Sequence, residues 1–150
     1  MAVAAETASA LRERFMRIAL QMAERGMAAG GPPVGACIVR GGEVVAAGHN
    51  SVIGELDATA HAEIVVIRLA CRELRLLSLT GCELYVTVEP CPMCLSACHY
   101  AAVEAIHFGA SITAMQAITG SELCADHQAL FAANLWSARV RYGSLGSRNR

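Results

Sequence analysis

The chain has 150 residues, 55% of them hydrophobic, and a formal net charge of −1 at pH 7. This length and composition allow one substantial hydrophobic core, so we expect a single domain over residues 1–150. The small net charge gives the whole molecule no strong attraction for nucleic acid or for anionic membranes.

The cysteine content and the N-terminus indicate a reducing compartment. Seven cysteines, an odd number, fit poorly with a framework of disulfides in a chain of this size. Residues 1–10 contain Glu6 and lack the basic and apolar regions of a signal peptide. No apolar run approaches the length of a membrane span. We therefore expect a cytoplasmic protein with no membrane association.

The first fifty residues predict a helix followed by a β-hairpin. Apolar residues recur at helical spacing from about residue 9 to residue 29, and Gly30-Gly31-Pro32-Pro33 ends this helix. Residues 34–39 and 44–48 have the composition of short strands, and Gly41-Gly42 between them predicts a tight turn. A polar stretch then begins after Asn50.

The middle of the chain predicts two further helices on either side of a buried strand. The first of these helices is expected to begin at Thr59 or Ala60. Residues 84–88 have the character of a strand that is buried on both faces of a parallel sheet. Pro90 then turns the chain into the second helix.

The last third of the chain predicts one strand and one helix. Residues 105–109 are expected to form a short strand. Helical character then returns, is interrupted around Gly120 and is strongest from Glu122 to Ala138. Residues 142–150, which contain two glycines, are expected to be a loose end. The complete order of helix, hairpin, helix, strand, helix, strand and helix predicts an α/β layered sheet with helices on both faces and a mixed edge from the hairpin.

Two short motifs carry the chemistry of the chain. His61-Ala62-Glu63 offers an imidazole and a carboxylate, and Pro90-Cys91-Pro92-Met93-Cys94 offers two thiols at C-x-x-C spacing. One imidazole and two thiols are a ligand set that a catalytic zinc takes when water holds its fourth position. Glu63 lies close enough to handle protons on that water without binding the metal. We therefore predict a zinc site made by His61, Cys91 and Cys94, with Glu63 as its proton-transfer residue.

Other interpretations of these residues are open from the motifs alone. The two thiols could be a redox pair or half of a structural zinc site, because C-x-x-C occurs in both. Cys98 or His99 could then supply a fourth ligand from the same helix. A zinc-stabilised binding module without catalytic activity is a further alternative, although a purely structural site has no need of Glu63.

Five segments between about residues 30 and 110 also carry a family resemblance. They are Gly31-Pro32-Pro33-Val34-Gly35-Ala36, Gly48-His49-Asn50, Thr59-Ala60-His61-Ala62-Glu63, Leu84-Tyr85-Val86-Thr87 and Glu89-Pro90-Cys91-Pro92-Met93-Cys94. H-x-E followed by P-C-x-x-C is the signature of zinc-dependent nucleobase deaminases. The sequence resembles the cytidine deaminase superfamily, in the branch that holds guanine deaminases, fungal-type cytosine deaminase and the tRNA adenosine deaminases.

The resemblance implies a three-layer α/β/α sheet, a hydrolytic deaminase activity and zinc (Zn²⁺) as the cofactor. It implies that His61, Cys91 and Cys94 hold the zinc and that Glu63 transfers protons. It further implies that Asn50 hydrogen-bonds the base and that the backbone around Ala62 helps to position it.

The substrate prediction rests on smaller details of the resemblance. Pro92-Met93 inside the cysteine motif suggests a guanine deaminase, in which Tyr100 would stack on a purine and Glu122 would read the base. A free base or nucleoside is therefore the expected substrate, with a cytosine or nucleoside deaminase as an alternative. A tRNA adenosine deaminase would share nearly every motif, but the net charge of −1 argues against a large RNA partner. This branch of the superfamily commonly forms dimers, so we expect a homodimer.

Overall fold

The structure is a computed structural model that describes residues 5–122, residue 124 and residues 141–144. The helices are α1 (Ala8–Ala28), α2 (Val52–Glu55), α3 (Ala62–Leu74), α4 (Pro92–Tyr100) and α5 (Ile112–Thr119). The strands are β1 (Gly35–Arg40), β2 (Glu43–His49), β3 (Cys82–Val88), β4 (Ala105–Ala110) and β5 (Arg141–Ser144). The predicted elements up to residue 110 are confirmed, with differences of a few residues at their ends.

The five strands form one mixed sheet in the order β2-β1-β3-β4-β5. β1 is antiparallel to both β2 and β3, whereas β3, β4 and β5 run parallel to one another. The antiparallel edge therefore comes from the predicted hairpin, and the parallel part comes from the strands that alternate with α4 and α5. The predicted α/β class with helices on both faces is confirmed.

Alternate residues of the central strands face two separate apolar clusters. On one face α1 covers a cluster of Phe15, Cys37, Val39 and Tyr85. On the other face α3 and α4 cover a larger cluster. Its members from the helices and the central strands include Val66, Ala70, Leu95, Cys98, Ile38, Leu84, Val86 and Ile106. This larger cluster anchors the two helices that carry the predicted metal-binding residues.

Gly35 lets α1 lie unusually close to the start of β1. A β-carbon at Gly35 would lie inside contact distance of the backbone of Ala19 and Ala23 on α1. The N–H of Gly35 also donates to the hydroxyl of Thr87 on β3, at 3.2 Å. The start of β1 is thereby held between α1 and β3, which fixes the preceding residues at the end of the sheet where the predicted site lies.

Three sequence predictions differ from the structure. Residues 142–144 are not a loose end, because they belong to β5, which pairs with β4 from Ala105↔Arg141 to Phe108↔Ser144. α3 begins at Ala62 and not at Thr59 or Ala60. The polar stretch after Asn50 contains the short helix α2, which the sequence analysis did not predict.

The physical reasons for these differences are local. β5 joins the sheet through its main chain, so it needs no alternating pattern of side chains. The start of α3 is delayed by a turn in which Asp57 accepts hydrogen bonds from the backbone N–H and the hydroxyl of Thr59. The predicted helix from Glu122 to Ala138 lies almost entirely outside the described residues.

Among the described residues, no helix combines the length and the apolar character needed to cross a bilayer. All seven cysteines are free thiols. Five of them lie on or beside the central strands and α4, namely Cys37, Cys82, Cys91, Cys94 and Cys98.

Candidate active site

His61 and Cys91 occupy equivalent positions at the starts of two neighbouring helices. His61 is the N-cap of α3, with φ −62° and ψ 156°, and Cys91 is the N-cap of α4, with φ −71° and ψ 170°. Neither side chain forms a capping hydrogen bond to its own helix. Both side chains can therefore point away from their helices and toward each other.

The three predicted ligands converge in the structure. The Nδ1 atom of His61 lies 3.6 Å from the Sγ atom of Cys91 and 3.5 Å from the Sγ atom of Cys94. All three donor atoms lie within 4.8 Å of one another. Zinc bonds of about 2.3 Å to sulfur and about 2.0–2.1 Å to nitrogen, at tetrahedral angles, place a nitrogen and a sulfur ligand about 3.5–3.6 Å apart. The donor set and its spacing therefore fit a zinc ion.

The two thiols share one proton, and Cys91 is the one that holds the thiolate. The pKa of Cys91 is lowered to about 4, chiefly because the Cys94 thiol donates a hydrogen bond to it, with a further contribution from His61. The same hydrogen bond, together with burial, raises the pKa of Cys94. Without a metal the pair thus retains one proton, and a metal that binds thiolate would displace it.

Glu63 stands beside the donor set in the first turn of α3 and is only 4% exposed. Burial raises the pKa of its carboxyl group to about 7, and this effect outweighs the opposing effect of a backbone hydrogen bond. A carboxyl group with a pKa near neutrality can both accept and release a proton at physiological pH. This is the property that the predicted proton-transfer role requires.

The donor set opens into a cavity of about 400 Å³. The polar or charged residues in its wall are Asn50, His61, Glu63, Glu89, Cys91, Ser121 and Glu122. The remaining residues in its wall are Pro32, Val34, Val52, Ile53, Ala58, Val88 and Met93. A cavity of this volume with a few polar groups suits a small organic molecule.

Asn50 is held in one orientation at the end of β2. Its backbone N–H donates to the carbonyl of Val34 at 2.9 Å, and its side-chain Oδ1 accepts from the N–H of Val52 at 3.1 Å. Because the oxygen of the carboxamide is engaged, the NH₂ group is the part of Asn50 that can serve a ligand in the cavity. This hydrogen bond leaves the NH₂ group of Asn50 as its available donor at the cavity wall.

Glu122 reaches the cavity through a turn that follows α5. Gly120 ends the helix with φ 67°, a left-handed conformation that glycine adopts without strain. The backbone N–H of Glu122 then donates to the side-chain oxygen of Gln116, which folds the chain back onto the helix. The structure thus brings Glu122 together with the three donors and Glu63, although it is distant from them in sequence.

The structure does not bring Tyr100 to this cavity. Tyr100 is the last residue of α4, is 85% exposed and makes an edge-to-face contact with His99. Cys91 precedes the first residue of the same helix, so Tyr100 lies roughly 13 Å further along the axis. Ala62 lies between His61 and Glu63, but its methyl group is fully buried in the core cluster, so only its backbone could serve a ligand.

Several cavity residues were not singled out from the sequence. Val52 and Ile53 belong to the unpredicted helix α2, and their only signal is that they follow Asn50 directly. Glu89 precedes the cysteine motif, and its side chain accepts a hydrogen bond from the N–H of Ile112 on α5. Sequence reasoning could have noted Glu89 as an acidic residue at the end of a buried strand.

The sequence profile of a known family covers most of these residues. The profile described as the cytidine and deoxycytidylate deaminase zinc-binding region matches residues 9–110. The chain belongs to this family. The superfamily resemblance seen in the motifs is confirmed, and the cofactor of the family is zinc, for which His61, Cys91 and Cys94 form a suitable group.

Two curated relatives of the chain carry the names of different deaminases. A tRNA-specific adenosine deaminase from Aquifex aeolicus is 48% identical over 99 residues, which cover 66% of this chain and 66% of the relative. A guanine deaminase from Bacillus subtilis is 44% identical over 102 residues, which cover 67% of this chain and 65% of the relative. The chain thus matches just under two thirds of the length of each of these two curated relatives.

A solved structure from a study of A-to-I editing at the wobble position of transfer RNA has a TM-score of 0.76 and 32% identity. The similarity covers 88% of this chain and 91% of that chain. It extends the match beyond the family profile and supports the strand order described above.

Metal analysis of ligand variants tests the donor set. The purified protein is expected to contain about one zinc per chain, and His61→Ala or Cys91→Ala should remove it, because two remaining ligands hold zinc poorly. Cys98→Ala is the matched control, since Cys98 is a buried thiol on the same helix but outside the donor group. Full zinc content in either ligand variant would contradict the assignment and would direct attention to Cys98 or His99.

Proposed function

We propose that residues 1–150 form one deaminase domain, a hydrolytic deaminase of a free purine base of the guanine type. The observation that carries this proposal is that Glu122 lines one cavity together with Glu63, Asn50 and two of the zinc-type donors, His61 and Cys91. The donors and Glu63 supply the reaction, and Asn50 and Glu122 supply complementary contacts for the base. The family membership and the guanine deaminase relative support the same conclusion.

His61, Cys91 and Cys94 would hold the zinc ion through one imidazole nitrogen and two thiolates. A zinc ion bound there would act as a Lewis acid and would lower the pKa of a water molecule at the site toward neutrality. The starts of α3 and α4 add partial positive charge from their helix dipoles, which favours the thiolate form of the cysteines.

Glu63 would carry the protons of the reaction. Its carboxylate would take a proton from the attacking water and deliver it to a ring nitrogen of the base, and later it would protonate the departing amine. Water and the amino-substituted base thereby become a carbonyl-containing base and ammonia. Burial of Glu63 supports this role, because it raises the pKa of the carboxyl group to about 7 and balances its acidic and basic forms.

Asn50 and Glu122 would read opposite hydrogen-bonding groups of the base. Asn50 can donate from its NH₂ group, because Val52 already occupies its oxygen. Guanine presents acceptors at N7 and O6 and a donor at its amino group. It also carries a ring N–H beside that amino group, which a carboxylate such as Glu122 accepts well. Neutral adenine has no such N–H on its six-membered ring, so Glu122 favours guanine.

The charge around the cavity supports a small substrate over a polynucleotide. The lining residues include three carboxylates, at Glu63, Glu89 and Glu122, and none of the described lining residues is an arginine. Carboxylates at the mouth of a site repel phosphate groups, whereas most protein contacts to nucleic acid use Arg or Lys. A neutral free base meets no such repulsion.

A tRNA-specific adenosine deaminase is the second candidate. It is supported by the 48% identity to the Aquifex aeolicus enzyme and by the TM-score of 0.76 to the wobble-editing structure. A cytosine or nucleoside deaminase would use the same donors and Glu63. The three activities differ in the group that Asn50 and Glu122 would meet.

Ammonia release from a panel of substrates decides among these activities. The panel contains guanine, adenine, cytosine, their nucleosides and a tRNA anticodon stem-loop. We expect guanine to be the preferred substrate. Glu122→Gln should raise the KM for guanine by about 10- to 100-fold, because the variant loses a charged hydrogen-bond acceptor. Preference for the stem-loop, with a KM that Glu122→Gln leaves unchanged, would establish the second candidate instead.

A Glu63→Gln variant separates an enzyme from a zinc-stabilised binding module. Gln keeps the size of the side chain but cannot take up and release a proton at neutral pH. Zinc content and fold should remain, because Glu63 is outside the donor group, whereas kcat should fall by about 10²–10⁴-fold or more. Asn50→Ala should instead weaken substrate binding as well as rate. A wild-type protein that deaminates none of the panel would favour the binding module.

We also propose that the chain forms a homodimer in the cytoplasm, with no membrane partner. Ile53 lines the cavity and is 60% exposed, and nearby Leu56 is 93% exposed, so a second copy could cover this rim. The free thiols of the site suit a reducing compartment. Light scattering should give the mass of a dimer, and a monomer that is active at nanomolar concentration would rule the dimer out.

A further inference from the structure

Glu89 links the segment that carries the thiols to the start of α5. Its side-chain Oε2 accepts a hydrogen bond of 2.9 Å from the backbone N–H of Ile112, the first residue of α5. Its own backbone N–H donates to the carbonyl of Ala110, the last residue of β4, at 2.8 Å. Glu89 is therefore bound to both sides of the β4–α5 junction.

The start of α5 is also packed directly against the metal-binding thiols. Ile112 is only 4% exposed and belongs to one apolar cluster with Cys91 and Cys94. The hydrogen bond from Glu89 holds the backbone of Ile112 while this cluster holds its side chain. Together they fix the position of the helix start relative to the donor group.

The other end of α5 holds the base-reading segment. The side-chain oxygen of Gln116 accepts from the N–H of Glu122, and the hydroxyl of Thr119 accepts from the N–H of Ser121 at 3.4 Å. α5 has eight residues, which corresponds to about 12 Å of helix. A short helix is stiff, so a displacement at Ile112 is carried to Glu122.

We propose that Glu89 is a positioning residue for base recognition, which fixes α5 and thereby the carboxylate of Glu122 relative to the metal-binding residues. This inference rests on the proposed function, because it takes Glu122 as the group that binds the base. Glu89 does not serve merely as the cap of α5. That role belongs to Ser111, whose hydroxyl accepts from the N–H of Ala114 at 3.2 Å.

Three single variants test the proposal. Glu89→Ala should raise the KM for guanine by about tenfold, because one charge-assisted hydrogen bond is lost. The Kd for 8-azaguanine, an analogue of guanine, should rise by the same factor. Its zinc content should remain that of the wild type, because Glu89 is outside the donor group. Glu89→Gln should recover most of the affinity, because its amide oxygen can accept from Ile112. Ser111→Ala is the matched control, since it removes a hydrogen bond from the same helix start and should leave both constants unchanged.

A double-mutant cycle shows whether Glu89 acts through Glu122. If it does, the double variant that carries both Glu89→Ala and Glu122→Gln should bind 8-azaguanine no more weakly than the single variant Glu122→Gln. Additive losses would overturn the proposal, because Glu89 would then affect the base independently of Glu122. Loss of affinity in Ser111→Ala equal to that in Glu89→Ala would also overturn it, because any weakening of α5 would then have the same effect.

Amide hydrogen exchange tests the same coupling without a substrate. In the zinc-loaded protein the N–H groups of Ile112 and Glu122 should both exchange faster in Glu89→Ala, and that of Glu122 should keep its protection in Ser111→Ala. If the wild-type protein neither binds 8-azaguanine nor deaminates guanine, the proposed function is wrong. The hydrogen-exchange result alone then decides whether Glu89 fixes the position of Glu122. Unchanged protection of Glu122 in Glu89→Ala would overturn it.

Discussion

The site depends on two helices that begin side by side and leave their cap positions to metal donors. His61 and Cys91 have nearly the same extended backbone, and neither side chain caps its helix. Thr7 and Ser111, by contrast, do cap α1 and α5 with their hydroxyl groups. A side-chain cap contributes about 1 kcal/mol. α3 and α4 forgo this stabilisation so that an imidazole and a thiol can face one point.

The sheet keeps these two helix starts together. α3 and α4 bury one apolar cluster against β1, β3 and β4, so their starts cannot separate without exposing Val66 and Leu95. On the opposite face of the sheet, the close backbone contact of α1 with Gly35 fixes the distance between α1 and the start of β1. The donor group is held by packing that extends well beyond the two motifs.

The donor group could be predicted from the sequence because its geometry is local. C-x-x-C at a helix start places two thiols on one side of the first turn, and H-x-E brings an imidazole and a carboxylate to another helix start. The elements from β1 to β4 were equally predictable, since each has its own apolar pattern. The short helix α2 could not be predicted, because four residues are too few to show a helical repeat of apolar side chains.

Contacts that depend on distance along an element were harder to predict. Tyr100 belongs to the helix of the cysteine motif, but the length of that helix carries it away from the donors. Glu122 lines the cavity, yet the turn at Gly120 and the hydrogen bond to Gln116 that bring it there are not visible as motifs. β5 pairs through its backbone, so its sequence gives no signal.

In the proposed function, the reacting groups and one of the two groups that contact the base, Glu122, occupy separate stretches of this chain. The donors and Glu63 lie inside residues 9–110, the region that matches the family, whereas Glu122 lies in the connection between β4 and β5. That connection leaves and rejoins the sheet in adjacent parallel strands, so its sequence can diverge without altering the pairing that supports the donors. A lineage built on this fold can therefore acquire a new substrate while it inherits an unchanged reaction.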